Sequence, residues 1–243
     1  MIVEEILKRF WDVKSKNNLF FLGIIMGFIG FVIGWLLFPG KLLPGVFFTA
    51  MPLVPFVHKI YKKRISSRNM ALLYIYIFFG MIFVFTFLYS VAPTEKIVEF
   101  GTYENLSAQD PYMAFSYILS NNTKLIFICL LLSMMYGIGS IFILTLNSAV
   151  IGQMFSHFLT SGKLDLLFAF MPHTVVEITA YMLAALAGGV LAASFINIKD
   201  LRKKSEKKEF EKKVLKSATF FTISITVVII GAFVESFVMP LLV

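Results

Sequence analysis

The chain has 243 residues, of which 58% are hydrophobic and 15% are charged. This composition excludes a soluble domain, because a folded chain of this length could not bury so much apolar surface, and it predicts a polytopic membrane protein. The formal net charge of +8 does not indicate nucleic-acid binding, because the basic residues cluster beside apolar segments. Membrane proteins place basic residues in this way on the cytoplasmic side, where they contact anionic lipid headgroups. We therefore predict an all-α bundle that forms a single integral membrane domain over residues 1–243, with membrane lipid as a partner.

Residues 1–16 predict an amphipathic helix in the cytoplasmic membrane interface, since apolar side chains recur at helical spacing beside lysine and arginine. The alternative is a simple cytoplasmic lead-in. The apolar run Leu19–Phe38 is too long for a signal-peptide core and predicts a retained first span. Four glycines of this span share one helical face, which favours close packing inside the subunit or, alternatively, a dimer contact. They are Gly23, Gly27, Gly30 and Gly34.

The segment Leu42–Val57 is apolar but contains three prolines, including Pro52, so we interpret it as a kinked second span. It must return the chain to the cytoplasm, because a strongly basic segment follows it. A third span is predicted at Ala71–Ala92. The segment 93–123 contains several acidic residues and is predicted to be an external loop, with a short surface helix at about residues 110–119.

The apolar stretch Lys124–Phe158 is too long for one span and is interrupted by Gly137 and Gly139. Another span is predicted at Thr174–Ile196, followed by a charged cytoplasmic loop at residues 199–213. A last span at Leu215–Pro240 would place the C-terminus outside.

The number of crossings between the external loop and this cytoplasmic loop must be odd. Either Lys124–Phe158 crosses twice as a hairpin, or residues 164–172 contribute a half-span before Pro172. A third solution violates the preference for basic residues on the cytoplasmic side. We expect about six crossings with at least one broken or re-entrant helix.

The most informative polar residues are His173 and Glu177, which share one face at the predicted start of a helix. Glu177 would then be stabilised by the positive end of the helix dipole. A row of small residues continues the same face and predicts a close neighbouring helix. The row is Ala180, Ala184, Gly188 and Ala192, and the candidate polar partners are Glu235, Asn147 and Gln153.

Several interpretations of this polar group remain open. It could be a buried hydrogen-bonded cluster that fixes helix register, or a proton- or ion-coupling site of a transporter. A metal site is weakly supported, because His173 and Glu177 supply only two ligands. The sequence contains no zinc-protease, nucleophile-elbow or nucleotide-binding motif, so we expect neither catalysis nor a cofactor.

The order of these residues resembles the stage II sporulation protein M family. The resemblance is strongest from Asn121 to the end of the chain, although Ser148 and Thr174 stand where the family often has glycine. The residues that carry it are Asn121, Asn122, Gly137, Asn147, Gly152, Pro172, His173, Glu177, Ala180, Gly188, Glu235 and Pro240.

This resemblance implies a membrane protein with several spans. The member that gives the family its name acts in a complex with two peptidoglycan-degrading partners and is thought to be a scaffold, but the family is wider than sporulation. We therefore expect a non-enzymatic protein of the cell membrane that organises or anchors partners, with a cytoplasmic N-terminus. The alternative is a transporter or channel for a small or lipidic solute. We expect either a homo-oligomer, most simply a dimer, or a complex with other membrane or cell-envelope proteins.

Overall fold

The computed structural model describes residues 16–62, 66–92, 110–134, 138–162, 164–197 and 204–238. The predicted interfacial helix, most of the external loop, Gly137 and Pro240 lie outside this part of the chain. The described residues form seven α-helices, which confirms the all-α prediction. They are α1 (Lys16–Leu37), α2 (Leu42–Lys62), α3 (Ser67–Val91), α4 (Pro111–Met134), α5 (Ile138–Ser161), α6 (Leu164–Asn197) and α7 (Lys204–Phe233), which continues as a π-helical turn (Val234–Val238).

Six of these helices contain an apolar stretch long enough to cross a membrane, which confirms a polytopic membrane bundle. The remaining helix, α2, has a shorter apolar part, Leu42–His58. The chain divides into two compact units. The first unit comprises Met1–Ile97 and Ile141–Thr160, and the second comprises Val98–Ser140 and Ser161–Val243.

In the first unit, the glycine face of α1 brings two other helices into backbone contact. A side chain at Gly23 would overlap the backbone of Ile77 in α3, and one at Gly30 would overlap Thr49 in α2. A side chain at Gly34 would overlap the backbone of Gly45 in the same way. Because all four glycines of the face are buried within this unit, they serve packing inside one chain.

The same contacts fix the directions of the helices in the first unit. Gly23 lies beside Ile77 and Gly27 beside Val84, so α1 and α3 are parallel. Gly30 and Gly34 lie beside Thr49 and Gly45 in the opposite order, so α2 is antiparallel to α1. The apolar part of α2, Leu42–His58, extends over about 26 Å at 1.5 Å per residue. This length is at the short end of those that cross a hydrocarbon core of about 30 Å.

The second unit is built from α4, α6 and α7. Asn122 bonds Glu177, and Ser133 lies against Gly188 further along both helices, so α4 and α6 are parallel. The hydroxyl groups of Ser217 and Ser224 donate to the carbonyls of Ala187 and Ala180 at 2.7 Å. This reversed order makes α7 antiparallel to α6.

The structure corrects three sequence-based boundaries, at Pro172, at residues 111–123 and at residues 204–213. The helix α6 continues through Pro172, so this proline does not mark the start of a helix. The helix α2 also continues through Pro52, within the span predicted there. Residues 111–123, expected in the external loop, belong to α4. The stretch from Lys124 to Phe158 falls into two helices, α4 and α5, as one of the two predicted solutions requires. Residues 204–213, expected in a loop, form the first three turns of α7.

Candidate functional site

A hydrogen-bonded cluster joins α4 to α6 near the middle of α4. The side-chain amide of Asn122 donates to the carboxylate of Glu177, and the Tyr181 hydroxyl donates to the Asn122 carbonyl oxygen at 2.9 Å. Glu177 and Tyr181 are one helical turn apart, so both face the same point on α4. Asn122 is thereby engaged through both halves of its amide.

Burial makes these bonds important for stability. Only 6% of Asn122 and 4% of Tyr181 are exposed. A buried polar group that loses its partner pays its full desolvation cost, which is larger than the net gain from forming the bond. The Cys129 sulfur lies 3.8 Å from the Tyr181 carbonyl oxygen and adds a weak contact one to two turns further along α4.

The predicted row of small residues on α6 allows the helices to come close enough for this cluster. Ala180, Ala184, Gly188 and Ala192 are all buried. A side chain at Gly188 would overlap Ser133 and approach the Leu130 carbonyl oxygen to 2.8 Å. Small residues at helix interfaces have the same effect in membrane proteins generally, because they let backbones meet.

Glu235 is carried by the π-helical turn that follows α7. Its carboxyl group interacts electrostatically with Glu177. Single π-helical turns within α-helices occur frequently at functional sites. The aromatic ring of Phe237, from the same turn, packs on Tyr112 and Phe115 at the start of α4, with ring centroids 5.4 and 6.1 Å apart. The second unit therefore contains two neighbouring carboxyl groups on different helices.

The other two candidate polar partners lie in the first unit. Asn147 donates to the Ile143 carbonyl oxygen of its own helix at 2.9 Å, a bond that leaves its amide engaged within α5. Gln153 is half-buried six residues further along the same helix. The backbone of His173 is helical within α6, but its side chain lies outside the described part of the structure.

The predicted role of the helix dipole at Glu177 is wrong. Because α6 begins at Leu164, Glu177 lies more than three turns inside the helix, and the dipole effect is confined to the first turn. Its described hydrogen-bond donor is a side chain, Asn122, instead of free backbone amides.

Of the two predicted glycine interruptions, Gly139 is the second residue of α5, where an added side chain would overlap Leu132.

Sequence reasoning missed Asn122 as a member of the cluster. Its position in an apparent external loop hid its place within a membrane helix. The useful signal was its spacing from Ile118, Ile126 and Cys129, which are buried on the same face of α4. An amide in the middle of an apolar helical face indicates an inward-pointing polar group.

The cluster can hold two helices together or share protons between carboxyl groups. Within the described residues, no three His, Cys, Asp or Glu side chains lie close enough to bind a metal ion. Asn122, Glu177, Tyr181 and Glu235 each supply an oxygen atom whose chemistry a function of this unit could use.

These features define a class: a polytopic helical membrane protein with a polar cluster between its spans. The sequence profile of stage II sporulation protein M matches residues 69–240, so the chain belongs to that family. It is also 30% identical over 167 residues to an uncharacterized protein of Methanocaldococcus jannaschii, a match that covers 67% of this chain and 89% of that protein. No solved structure matches the chain.

Proposed function

We propose that this protein is a non-enzymatic organiser that anchors partner proteins in the cell membrane. The observation that carries this proposal is the use of the polar groups: Asn122 bonds Glu177 on the neighbouring helix and also accepts from Tyr181. Groups engaged in this way stabilise a fixed arrangement of helices, as a scaffold requires. Buried polar bonds of this kind specify which helices pair and in which register.

The helix directions support a topology with seven crossings, a cytoplasmic N-terminus and an external C-terminus. In the first unit α1 and α3 are parallel, and α2 runs against them. In the second unit α4 and α6 are parallel, and α7 runs against them. Seven successive crossings reproduce all these directions. They also place the basic residues 59–68 and 199–216 on the cytoplasmic side.

Labelling with a membrane-impermeant maleimide tests this topology. The one native cysteine, Cys129, is buried, so introduced thiols give a clean signal. We expect Ser107→Cys to react in intact cells and Lys204→Cys to react only after permeabilisation. The reverse pattern at either position would show that the orientation is wrong.

Affinity purification from the native membrane, followed by native mass spectrometry, tests the organising function. We expect a second protein at a fixed stoichiometry. Glu177→Ala removes the acceptor of Asn122 and should lower both the melting temperature and the yield of that protein. Glu177→Gln retains a carbonyl acceptor and should preserve most of the yield. If the wild-type chain purifies without any second protein under gentle conditions, that result would count against an organising function.

The carboxyl pair supports a second candidate, a transporter that couples to a proton or cation. Glu177 and Glu235 interact electrostatically between two helices, and close carboxyl groups in an apolar setting are found in proton relays. This candidate predicts that Glu177→Gln loses its function, because the amide cannot carry a proton. Flux driven by a pH gradient into proteoliposomes should then be lost while the melting temperature stays near that of the wild type.

A further inference from the structure

One face of α4 is polar and exposed although the helix is a membrane span. The residues that α4 buries against its unit fall on one side and include Ala114, Ile118 and Asn122. The opposite side carries exposed polar residues over about two turns. We refer to this surface as the polar face of α4; it comprises Tyr117, Ser120, Asn121 and Lys124.

The contacts inside the second unit place this face deep in the membrane. Lys216 is the last charged residue of α7 before an uncharged run that reaches Val234. The adjacent Ser217 bonds Ala187, and the next residue of α6, Gly188, lies against Ser133 of α4. The candidate span on α4 itself runs from Pro111 to Met134, so Ser133 lies at its cytoplasmic end.

Lys124 consequently lies near the middle of the bilayer. It is about 13 Å from Ser133 along the helix, at 1.5 Å per residue, in a core about 30 Å thick. Side chains on a helix lean toward its N-terminus, which for α4 is the external side. The headgroups on that side are about 17 Å away by the same arithmetic, too far for a four-carbon stem to reach.

The acidic cluster of the second unit does not compensate this charge. Asn122 faces Glu177, and Lys124 follows Asn122 by two residues, which corresponds to roughly 200° around the helix axis. Lys124 thus points away from Glu177 and is exposed. An exposed ammonium group in hydrocarbon is costly, so such residues face a protein or a water-filled cavity and pair with an opposite charge.

We propose that the polar face of α4 is the contact surface for a membrane-spanning helix of another protein, one that carries an aspartate or glutamate opposite Lys124. The proposal rests on the organising function and names the surface that performs it. Charge complementarity selects this partner over a second copy of the chain. A symmetric pair presents the same patch twice and would bring one lysine toward the other. Ser120, Asn121 and Tyr117 add hydroxyl and amide groups that can bond across the interface.

Photo-crosslinking in the full chain, in its native membrane, tests this assignment. The probe is p-benzoylphenylalanine in place of Ser120, with Phe83 of α3, which is 63% exposed, replaced in the same way as the control. We expect a protein adduct from position 120 and not from position 83. The captured protein should contain a membrane span with an aspartate or glutamate.

Charge reversal then separates a specific pair from chance proximity. Lys124→Glu should reduce the adduct at least tenfold, and Lys124→Arg should retain it. Replacing the partner's acidic residue by lysine should restore the adduct to Lys124→Glu. Because Lys124 is exposed, Lys124→Glu should fold normally; if it does not accumulate, Ser120→Trp tests the same surface by steric block.

Three outcomes would overturn the proposal: an adduct between two copies of the chain, an adduct with lipid alone, or an adduct unchanged by Lys124→Glu. If the partner still co-purifies with Lys124→Glu in undiminished amount, the surface is wrong while the organising function stands. If no partner is recovered even with the wild-type chain, the organising function fails as well.

Discussion

The two units of this protein join their helices by different means. The first unit relies on glycine, since Gly23, Gly30 and Gly34 of α1 let neighbouring backbones touch. Several of its polar side chains bond within their own helices, as Thr49 does to the Gly45 carbonyl and Thr145 to the Ile141 carbonyl. The first unit also has side-chain bonds between helices, from Ser90 to Ser156 and from Thr145 to Met81. The second unit has small residues too, but more of its described side-chain bonds run between helices.

This difference shows two solutions to one physical problem. Lipid tails are as apolar as leucine, so helices in a membrane gain little from burying apolar surface against each other. Close backbone contact gains dispersion energy over a long interface without directional bonds. Hydrogen bonds such as Asn122 to Glu177 add direction and fix register. A unit that presents a surface to a partner gains from the second solution, because its helices cannot slide.

The largest expected effect is on the glycine contacts of the first unit. Gly30→Ala places a methyl group against the backbone of Thr49, and we expect a loss of about 3 kcal/mol in unfolding free energy. Gly45→Ala is the matched control in the facing helix, since its nearest neighbour would be 3.6 Å away. It should change stability by less than about 1 kcal/mol. Reversible unfolding in mixed micelles measures the unfolding free energy of both variants. Equal losses in the two variants would show that the glycines of α1 are no more important than other glycines of this unit.

A middle-sized effect is expected in the polar cluster of the second unit. Asn122→Ala leaves Glu177 and the buried Tyr181 without the amide that bonds both, which should cost about 2 kcal/mol. The neighbouring Asn121 is exposed, so Asn121→Ala in the purified chain should be close to neutral. If both variants unfold at the same denaturant concentration, the cluster does not stabilise the unit.

The smallest effect is expected for a single hydroxyl between α6 and α7. Ser224→Ala deletes the bond to the Ala180 carbonyl and should cost about 0.6 kcal/mol, the typical value for a bond between membrane helices. Thr226 bonds its own helix at an exposed position, so Thr226→Ala serves as the control and should have no measurable effect. A loss larger than that of Asn122→Ala would reverse the proposed ranking of contacts.

Many features were predictable because membrane helices have simple patterns. The glycine spacing of α1 and the small residues from Ala180 to Ala192 follow the helical repeat, so their shared faces could be predicted without coordinates. Glu177 was recognisable because a carboxyl group within an apolar helix is rare. Its partner was not recognisable, because Asn122 is 55 residues away in sequence. Asn147 was an equally plausible amide by composition.

Helix boundaries were less predictable. Pro172 suggested the start of a helix, but α6 runs through it, since neighbouring groups can satisfy the backbone of a membrane helix at a proline. The polar run from Ser120 to Lys124 suggested a loop, but these residues continue α4. In both cases the helix continues despite the local preference of the residues.

The sequence by itself determined that this is a helical membrane protein, which segments are apolar and which helical faces carry small or acidic residues. These properties depend on composition and on a repeat of 3.6 residues, and both are local. Only the tertiary structure decided that Asn122 meets Glu177, that Asn147 bonds its own helix and that Lys124 is exposed near the middle of α4. Such outcomes depend on the register between helices far apart in the chain, which is set by the fit of many small contacts at once.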